Sequence, residues 1–455
     1  MPGKQVSSRK AALPKKATSL PSSPRKRLMP IKAASLPNQL PSSPIKQVSS
    51  RKKATSLPNK LHKNPEFIFF GCWNNIDCTS TFTNRDIVLH LLKKLFINKK
   101  IILAGDNWYN YKIKNSKLKY YPLYVLESGY KLLFDISKEV DIVLGNHDIN
   151  MDTEKLNQKH NIIENFCNNL GCLLKVQYKT IYNILNSTVS PNIPLIYTSP
   201  LKPISTVNLF SCCPKLINRD GVYFLYINTN VFETNTCLIN EYKSLIEKAL
   251  LECPVNNLLF IIGHHPFAGL KIKKNIYAIQ TASNLYKSAN TTAIYAILDL
   301  FTKYKSIYLC ADIHNFQVCK LHSNVCMVIA GCAGAKADDL REDLELKECK
   351  LNENFSVSNL YAHTSYGFSK ISYDKITSNV NVKYYYVESY NDKTITYSIY
   401  SYLFKYNTSW SIEKLKIDNK IPIVLDTDIK TTKYCNDIKK KIENKLIDPN
   451  IKVIT

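Results

Sequence analysis

Short apolar segments that end in a small residue followed by a polar side chain recur along this chain. In the clearest case, Ile101-Ile102-Leu103-Ala104 runs directly into Gly105 and Asp106. A short apolar run of this kind is typical of a parallel strand that is buried on both faces. Similar segments occupy residues 141–148, 258–266 and 307–314. Because the carboxyl ends of parallel strands share one edge of a sheet, we expect their Asp, Asn and His residues to converge there.

Between these segments, apolar residues recur at helical spacing. The alternation of strands with helices predicts right-handed crossovers and a largely parallel sheet. The predicted strands are 67–70, 101–104, 140–144, 221–227, 258–262 and 307–310, and the predicted helices are 85–97, 122–136, 154–173, 240–251 and 292–304.

The pattern changes after Asp312. Residues 316–321, 325–330, 366–373 and 380–387 are predicted to be successive antiparallel strands. A second sheet packed on the first gives an α/β fold, a four-layer α/β/β/α sandwich with mixed central sheets. We assign residues 65–390 to this domain. Residues 391–455 are predicted to form an extension packed on it, of unknown role, with two strands and a helix near 436–446.

Composition allows such a domain, because the chain has 455 residues and is 45% hydrophobic. Much of the net charge of +25 comes from the first 65 residues. Residues 1–65 contain 15 Lys and Arg residues and no acidic residue, so the rest of the chain is only mildly basic. Residues 1–64 are also a Ser/Pro/Lys-rich imperfect repeat, which predicts a disordered basic tail.

Two interpretations of this tail stay open. Ser23 and Ser43 precede prolines and lie close to basic residues, as in phosphorylation sites beside a nuclear-import or polyanion-binding cluster. The alternative is a solvated tail with no fixed partner. The first interpretation leads to one hypothesis for function, a nucleic-acid-associated protein that binds through its tail.

The 14 cysteines are scattered and contain no Cys-x-x-Cys pair. The chain starts without a signal-peptide pattern, and no apolar run reaches the roughly 18 residues needed to span a bilayer. We therefore predict a soluble intracellular protein, cytoplasmic or nuclear and not secreted, with free thiols and no membrane partner.

The strand-end motifs, taken in order, resemble those of the calcineurin-like metallophosphoesterases. The tyrosine of the first motif makes the resemblance closest to the purple acid phosphatase branch. The matching motifs are Gly-Asp-x-x-Tyr (105–109), Gly-Asn-His-Asp (145–148), Gly-His-x-Pro (263–266) and a final x-x-x-His (311–314).

The resemblance implies two divalent or mixed-valence metal ions (Fe, Mn or Zn) and hydrolysis of a phosphorylated substrate. Asp106 would bridge the ions, which would lower the pKa of a shared water and make hydroxide available for attack on phosphorus. Tyr109 and His314 would bind the first ion, and Asn146 and His264 the second.

The resemblance also implies roles for the neighbouring residues. His147 would stabilise charge on the phosphoryl group and protonate the leaving oxygen, and Asp148 would orient its imidazole. His265 is expected to pack beside His264 or to contact substrate.

Three positions depart from the family pattern. Cys72 stands where the family has an Asp ligand of the first ion, and a thiolate ligand and a packing cysteine are both open there. Asn74 replaces a common histidine and becomes a candidate substrate-binding residue, while Asp77 is an alternative ligand if its loop curls back. Asp312 replaces the first histidine of the last motif and keeps a metal ligand.

Three hypotheses follow from these motifs and the tail. The first is a dinuclear metal-dependent phosphatase or phosphodiesterase. The second is a catalytically degenerate phosphoesterase fold that serves as a binding or scaffold protein, motivated by Cys72 and Asp312. The third is the tail-mediated nucleic-acid-associated protein.

Overall fold

The structure is a computed structural model that describes residues 64–75, 83–149, 195–197, 205–338, 340 and 348–425. Short gaps within these ranges fall at 108, 110, 115–116, 121–122, 211–212, 235, 274–275, 283–284, 286–289, 365, 392 and 416–417. The basic tail, Asp77 and the predicted helices 154–173 and 436–446 lie outside the described residues. What the sequence indicates about them stays a prediction.

The described strands follow one another along the chain with few long helices between them. In chain order they are β1 (Glu66–Phe70), β2 (Ile101–Ala104), β3 (Tyr111–Lys114), β4 (Lys117–Tyr120), β5 (Glu139–Val143), β6 (Leu195–Tyr197), β7 (Ser205–Phe210), β8 (Lys215–Arg219), β9 (Val222–Tyr226), β10 (Leu258–Ile262), β11 (Ala268–Lys273), β12 (Ile276–Thr281), β13 (Lys305–Cys310), β14 (Phe316–His322), β15 (Val325–Ala330), β16 (Cys349–Lys350), β17 (Ser356–His363), β18 (Gly367–Asp374), β19 (Asn379–Tyr390), β20 (Thr394–Tyr406), β21 (Trp410–Lys414) and β22 (Asp418–Val424).

Three described helices begin within a residue of the predicted positions, one begins four residues earlier than predicted, and the short helix at Asn146–Ile149 was not predicted. Thr83 caps the first of them, since its side chain accepts a hydrogen bond from the Asp86 backbone N–H at 3.1 Å. The helices are α1 (Asn84–Phe96), α2 (Leu123–Ile136), α3 (Asn146–Ile149), α4 (Thr236–Leu250) and α5 (Thr291–Phe301), with a 3₁₀ helix at Thr229–Glu233.

Two large sheets account for most of the described strands. The first sheet has ten strands in the order β21-β20-β19-β18-β1-β2-β5-β7-β6, with β22 also paired to β20. The second sheet has eight, in the order β16-β17-β14-β15-β13-β10-β9-β8. Each sheet has a parallel centre, β1-β2-β5-β7 in the first and β9-β10-β13-β15 in the second.

Both faces of each sheet are buried at its centre, which explains why β1, β2 and β10 are apolar at nearly every position. Phe67 and Phe69 on β1 face the second sheet, where the Phe67 ring meets the Phe260 ring at a centroid distance of 5.4 Å. Ile68 and Phe70 face the opposite way and pack with residues of α1 and α2. On β10, Leu259 and Ile261 pack with α4 and α5.

The order of layers is therefore helices, first sheet, second sheet, helices. The predicted four-layer α/β/β/α sandwich is confirmed. Among the described helices, none combines the length and apolar character needed to cross a bilayer.

The strands after Asp312 were predicted to form a second sheet of their own, and this prediction is wrong. They do not form a sheet of their own, because β14 and β15 extend the second sheet from β13, whereas β18 and β19 extend the first sheet from β1. The edge of β1 away from β2 pairs antiparallel with β18, with Phe67 opposite Ile371. Each sheet thus gains an antiparallel extension on a parallel centre.

Strands β20 to β22 lie beyond the predicted domain boundary at residue 390. β20 pairs antiparallel with β19 from Val380 opposite Phe404 to Tyr390 opposite Ile395, with one register shift between Val387 and Ser389. Residues 394–424 therefore complete the first sheet.

Candidate metal centre

Five polar side chains lie just beyond the ends of five parallel strands. Four of them are the second residue after their strand, and Asn146 is the third residue after β5. The other four are Cys72 after β1, Asp106 after β2, His264 after β10 and Asp312 after β13. These strand ends share the carboxyl edge of the two central sheets, as the sequence pattern predicts.

Unusual backbone conformations position three of these residues. Cys72, Asp106 and Asp312 have φ values of 49°, 52° and 57°, in the left-handed region that non-glycine residues rarely adopt. Such outliers concentrate at functional sites, where the surrounding structure holds them. Gly105 also has a positive φ, and a Cβ there would lie 2.4 Å from His264 Nδ1, so only glycine fits.

Asp106 lies at the centre of the cluster, with 1% of its surface exposed. Its Oδ2 accepts a hydrogen bond from the Tyr109 hydroxyl at 2.9 Å and lies 3.6 Å from the Cys72 sulfur. Its Oδ1 lies 3.3 Å from His264 Nε2 and accepts from the His147 backbone N–H at 3.1 Å. The two oxygens therefore face two different groups of donor atoms, as a bridging carboxylate does.

The first donor group joins Cys72, Tyr109 and His314 to Asp106. Donor atoms of Cys72, Asp106 and His314 all lie within 4.8 Å of one another, and His314 Nε2 is 3.3 Å from the Tyr109 oxygen. His314 Nδ1 is 3.0 Å from the Lys336 carbonyl oxygen, and a carbonyl oxygen can only accept a hydrogen bond. The Nδ1–H tautomer therefore leaves the Nε2 lone pair directed at the group, the arrangement common for histidine ligands of metals.

The second donor group joins Asn146, His264 and Asp312 to Asp106. His264 Nε2 lies 3.1 Å from Asn146 Oδ1 and 3.8 Å from Asp312 Oδ1. Its Nδ1 donates to the Ala104 carbonyl oxygen at 2.7 Å, so Nε2 is the atom that would bind a metal ion once its proton is displaced.

His265 lies beside this group, and one of its ring nitrogens lies within 4.8 Å of donor atoms of His264 and Asp312. The Thr229 hydroxyl oxygen accepts from the backbone N–H groups of His264 and His265, at 3.0 and 2.9 Å. Its single proton is then available for His265 Nδ1, which lies 3.0 Å away. The His265 Nε2 lies 3.7 Å from a Glu233 carboxylate oxygen. His265 is fully buried, which does not favour the predicted substrate contact.

His147 and Asp148 occupy the first turn after Gly145. The His147 ring lies over the Tyr109 ring at a centroid distance of 4.4 Å and is half-buried, so it borders the cluster. The Asp148 oxygens accept from the Asn107 backbone N–H at 2.9 Å and from Gly145 N–H at 2.8 Å. Asp148 thus ties the loops after β2 and β5 together, and its predicted role in orienting the His147 imidazole stays a prediction.

Asn74 is not brought into the cluster. Its side chain is fully buried, and its amide oxygen accepts from the Arg85 guanidinium at 2.8 Å. A Cβ on Gly129 of α2 would lie 2.5 Å from this amide oxygen, which places the side chain against the helix layer. The prediction that Asn74 binds substrate therefore does not agree with its position, because the amide is used inside the fold.

Two supporting residues carried no signal in the sequence. Asn107 donates from its side chain to the Val143 carbonyl oxygen and to Asp148, both at 2.8 Å, and accepts from the Trp73 indole N–H. Thr229 holds the His264–His265 loop. A single Asn or Thr has no recognisable spacing, and the adjacency of Asn107 to Asp106 was the one available indication.

The electrostatics of the cluster follow from burial and from the closeness of the two groups. Burial acts to raise the pKa of Asp106, but His264 and His147 outweigh it and hold that pKa well below its usual range. Burial acts to lower the pKa of His264, and Asp106 and Asp312 raise it above its usual value.

Three further groups favour their neutral forms. Burial and the Asp106 charge raise the pKa values of the Cys72 thiol and the Tyr109 hydroxyl well above their usual ranges. The same two causes raise the pKa of Asp148 to about 7. Burial lowers the pKa of His265 to about 4, with His264 adding to the effect.

The donor atoms present fit metal ions. Carboxylate and amide oxygens, imidazole nitrogens, a phenol and a thiol are ligands for Mn, Fe or Zn. Within the described part of the chain, the ion pairs of Asp106 and Asp312 are with His264 alone, so no lysine or arginine neutralises these carboxylates.

No family model matches the chain, and no curated protein sequence matches it. Among solved structures, that of PhoD is 11% identical and covers 84% of this chain and 77% of its own, with a TM-score of 0.48. GAP50, described as the anchor in the inner membrane complex of Plasmodium, is 13% identical and covers 78% of this chain and 89% of its own, with a TM-score of 0.39. At these values neither similarity supports a statement about activity or site residues.

Proposed function

We propose that the chain is a dinuclear metal-dependent phosphoesterase that acts on a phosphomonoester or phosphodiester. The observation that carries this proposal is the orientation of Asp106, whose two carboxylate oxygens face two separate groups of donor atoms. A buried carboxylate in that position suits a bridge between two cations.

The residues that would hold the two ions are the two donor groups already described. Asp106, Cys72, Tyr109 and His314 would hold the first, and Asp106, Asn146, His264 and Asp312 the second. Two such ions supply Lewis acidity and a nucleophile at neutral pH by lowering the pKa of water. The motif resemblance to the purple acid phosphatase branch adds to the proposal at Tyr109, whose hydroxyl meets Asp106.

His147 is the residue that fits general acid catalysis. It is half-buried, its ring packs at a tilt against that of Tyr109, and its backbone N–H donates to Asp106, so its imidazole can reach a bound substrate while staying in place. We propose that it stabilises charge on the phosphoryl oxygens and donates a proton to the leaving oxygen. Asp148 and Asn107 keep the His147 turn at a fixed distance from Asp106.

Hydrolysis of aryl phosphate monoesters and diesters by the full-length protein tests the proposal. The protein is stripped with a chelator, and Mn²⁺, Zn²⁺ or Fe is then added back. We expect metal-restored turnover that Asp106→Asn reduces to background and His147→Ala lowers about 10²- to 10⁴-fold, the usual range for a general acid. Asp299→Asn, an exposed carboxylate on α5, is the matched control and should keep full activity.

Two results would contradict the proposal. Metal binding by the wild-type protein without turnover on either ester would favour the degenerate binding protein. Failure to bind any of these ions would remove the metal centre itself.

A further inference from the structure

The two donor groups around Asp106 differ in chemical softness. The first contains a thiol and a phenol beside one imidazole and the shared carboxylate. The second contains a second carboxylate and an amide oxygen beside one imidazole and the shared carboxylate. Thiolates select ions such as Zn²⁺ and Co²⁺, whereas oxygen ligands suit harder ions such as Mn²⁺.

We propose that Cys72 binds the first ion through its sulfur and makes that position select thiophilic ions, while the second position takes a harder ion. This inference rests on the proposed dinuclear site. It assigns a different metal preference to each half of that site.

The backbone of Cys72 directs its side chain into the first group. The residue has a φ of 49°, its N–H donates to the Gly105 carbonyl oxygen at 3.1 Å, and its carbonyl accepts from Ala335 N–H at 2.9 Å. Both backbone polar groups are therefore fixed by neighbouring loops. A left-handed conformation in a non-glycine residue is unfavourable, so this placement of the thiol is maintained against a conformational preference.

The surroundings of Cys72 distinguish it from the packing cysteines of the same fold. Its sulfur lies 3.6 Å from an Asp106 oxygen and within 4.8 Å of a His314 ring nitrogen. Cys310 is equally buried, but its sulfur lies 3.6 Å from the Val328 carbonyl oxygen, inside the second sheet. A thiol that only fills space has no need of a carboxylate, an imidazole and a phenol around it.

Binding of a divalent ion at this position displaces the thiol proton. The S–H bond breaks, the proton leaves to solvent, and the sulfur electron pair forms the bond to the ion. Asp106 Oδ2, which now lies 3.6 Å from the Cys72 sulfur, would be a second ligand of that ion. No oxidant or reductant is required.

Cobalt substitution of the full-length protein tests this assignment with a spectroscopic signal that is independent of turnover. A thiolate ligand gives cobalt a charge-transfer absorption in the near ultraviolet. We expect this band in the wild-type protein and in two controls, Cys237→Ser, an exposed cysteine on α4, and Cys310→Ser, a buried one. Cys72→Ser should lose the band and still bind cobalt at the second position.

Competition between Zn²⁺ and Mn²⁺ measures the selectivity. In an equimolar mixture, the wild-type protein should retain one zinc and one manganese per chain after dialysis. Cys72→Ser should weaken zinc at the first position by more than the roughly 10- to 100-fold that loss of a supporting outer group costs. Cys72→Asp should restore an ion at that position without the thiolate band and with the preference moved towards Mn²⁺.

The outcomes separate this inference from the proposed function. Two bound cobalt ions without a thiolate band, or a band that survives in Cys72→Ser, would overturn the role of Cys72 and leave the phosphoesterase proposal standing. The Cys72-dependent band in a protein without turnover would support the inference and count against the enzyme. A protein that binds no ion would overturn both.

Discussion

Two buried carboxylates, Asp141 on β5 and Asp106 in the loop after β2, show two ways in which a buried charge is balanced in this protein. Asp141 on β5 is fully buried, and its Oδ2 lies 2.9 Å from the Arg219 guanidinium and 3.0 Å from the Lys100 ammonium. Asn208 donates to the other oxygen at 2.8 Å, and the Tyr226 hydroxyl also donates to Asp141. The fold itself supplies the cations that balance this carboxylate.

Asp106 is almost as buried, but neither a lysine nor an arginine contacts it in the described part of the chain, and His264, whose pKa is raised, is its ion-pair partner. Its partners are imidazole, phenol, thiol and backbone N–H groups. Burying a carboxylate without a cation is costly. The comparison teaches that Asp141 is balanced by the permanent charges of Lys100 and Arg219, whereas Asp106 is balanced by imidazoles, which the proposed metal ions would supplement.

The largest expected effect is on stability at Asp141. Asp141→Asn removes the buried carboxylate and leaves Lys100 and Arg219 with only the part-exposed Glu139, and because breaking a fully buried pair costs about 3–5 kcal/mol, we expect a loss of about 2–4 kcal/mol. Urea unfolding of the full-length protein measures the loss. Asp299→Asn is the control and should stay within about 0.5 kcal/mol of the wild-type value. If Asp141→Asn lowers the free energy of unfolding by less than about 1 kcal/mol, Asp141 does not have the stabilising role that distinguishes it from Asp106.

The second effect concerns metal and stability at Asp106. An ion that binds the folded protein at 100 times its dissociation constant adds about 2.7 kcal/mol to the free energy of unfolding. We expect Mn²⁺ or Zn²⁺ to raise the thermal unfolding temperature of the chelated wild-type protein and of Asp141→Asn. Asp106→Asn should show no rise. A metal-dependent rise that persists in Asp106→Asn would place the ions elsewhere.

The smallest effect is the acid dependence of the Asp141 contribution. Burial acts to raise its pKa, but Lys100 and Arg219 outweigh it and hold that pKa below its usual value. The folded state therefore binds this proton less tightly than the unfolded chain. Its stabilising contribution is complete above about pH 4, the ordinary aspartate value, and is lost as the pH falls through the lowered pKa.

Urea midpoints of the wild-type protein and Asp141→Asn between pH 7 and pH 2 measure this dependence. The difference between the two proteins should shrink below about pH 4. A difference that stays constant down to pH 2 would contradict the assignment.

The central strands were predictable from the sequence because a strand that is buried on both faces is a continuous run of apolar residues. β1, β2 and β10 are apolar at nearly every position and end in a small residue, so their bounds were predicted within a residue or so. The strands that were missed owe their structure to partners far away in sequence. β8 is half polar, for example, and exists because it pairs with β9.

Part of the candidate site was also predictable, because several of its residues directly follow apolar strands. Residues whose role depends on partners far away in sequence were not predictable. A ligand directly after an apolar strand and a glycine stands out, as Asp106 and His264 do. Asn74 also follows a strand closely, yet its amide is used by Arg85, and no local pattern distinguishes the two cases. The role of Thr229 was not predictable, because its hydroxyl contacts the His264–His265 loop only in the folded structure and sequence spacing does not show that contact.

The pairing of β1 with β18 has a consequence for how the protein is made. The first strand leaves the ribosome with one edge that finds its partner only when residues 367–374 appear. At a translation rate of 5–20 residues per second, the intervening stretch of roughly 300 residues takes about 15–60 s to synthesise. During that time an apolar strand edge is available to other chains. We therefore expect chains truncated before β18 to aggregate, and cells that express the protein to depend on chaperones that cover β1 until the C-terminal strands arrive.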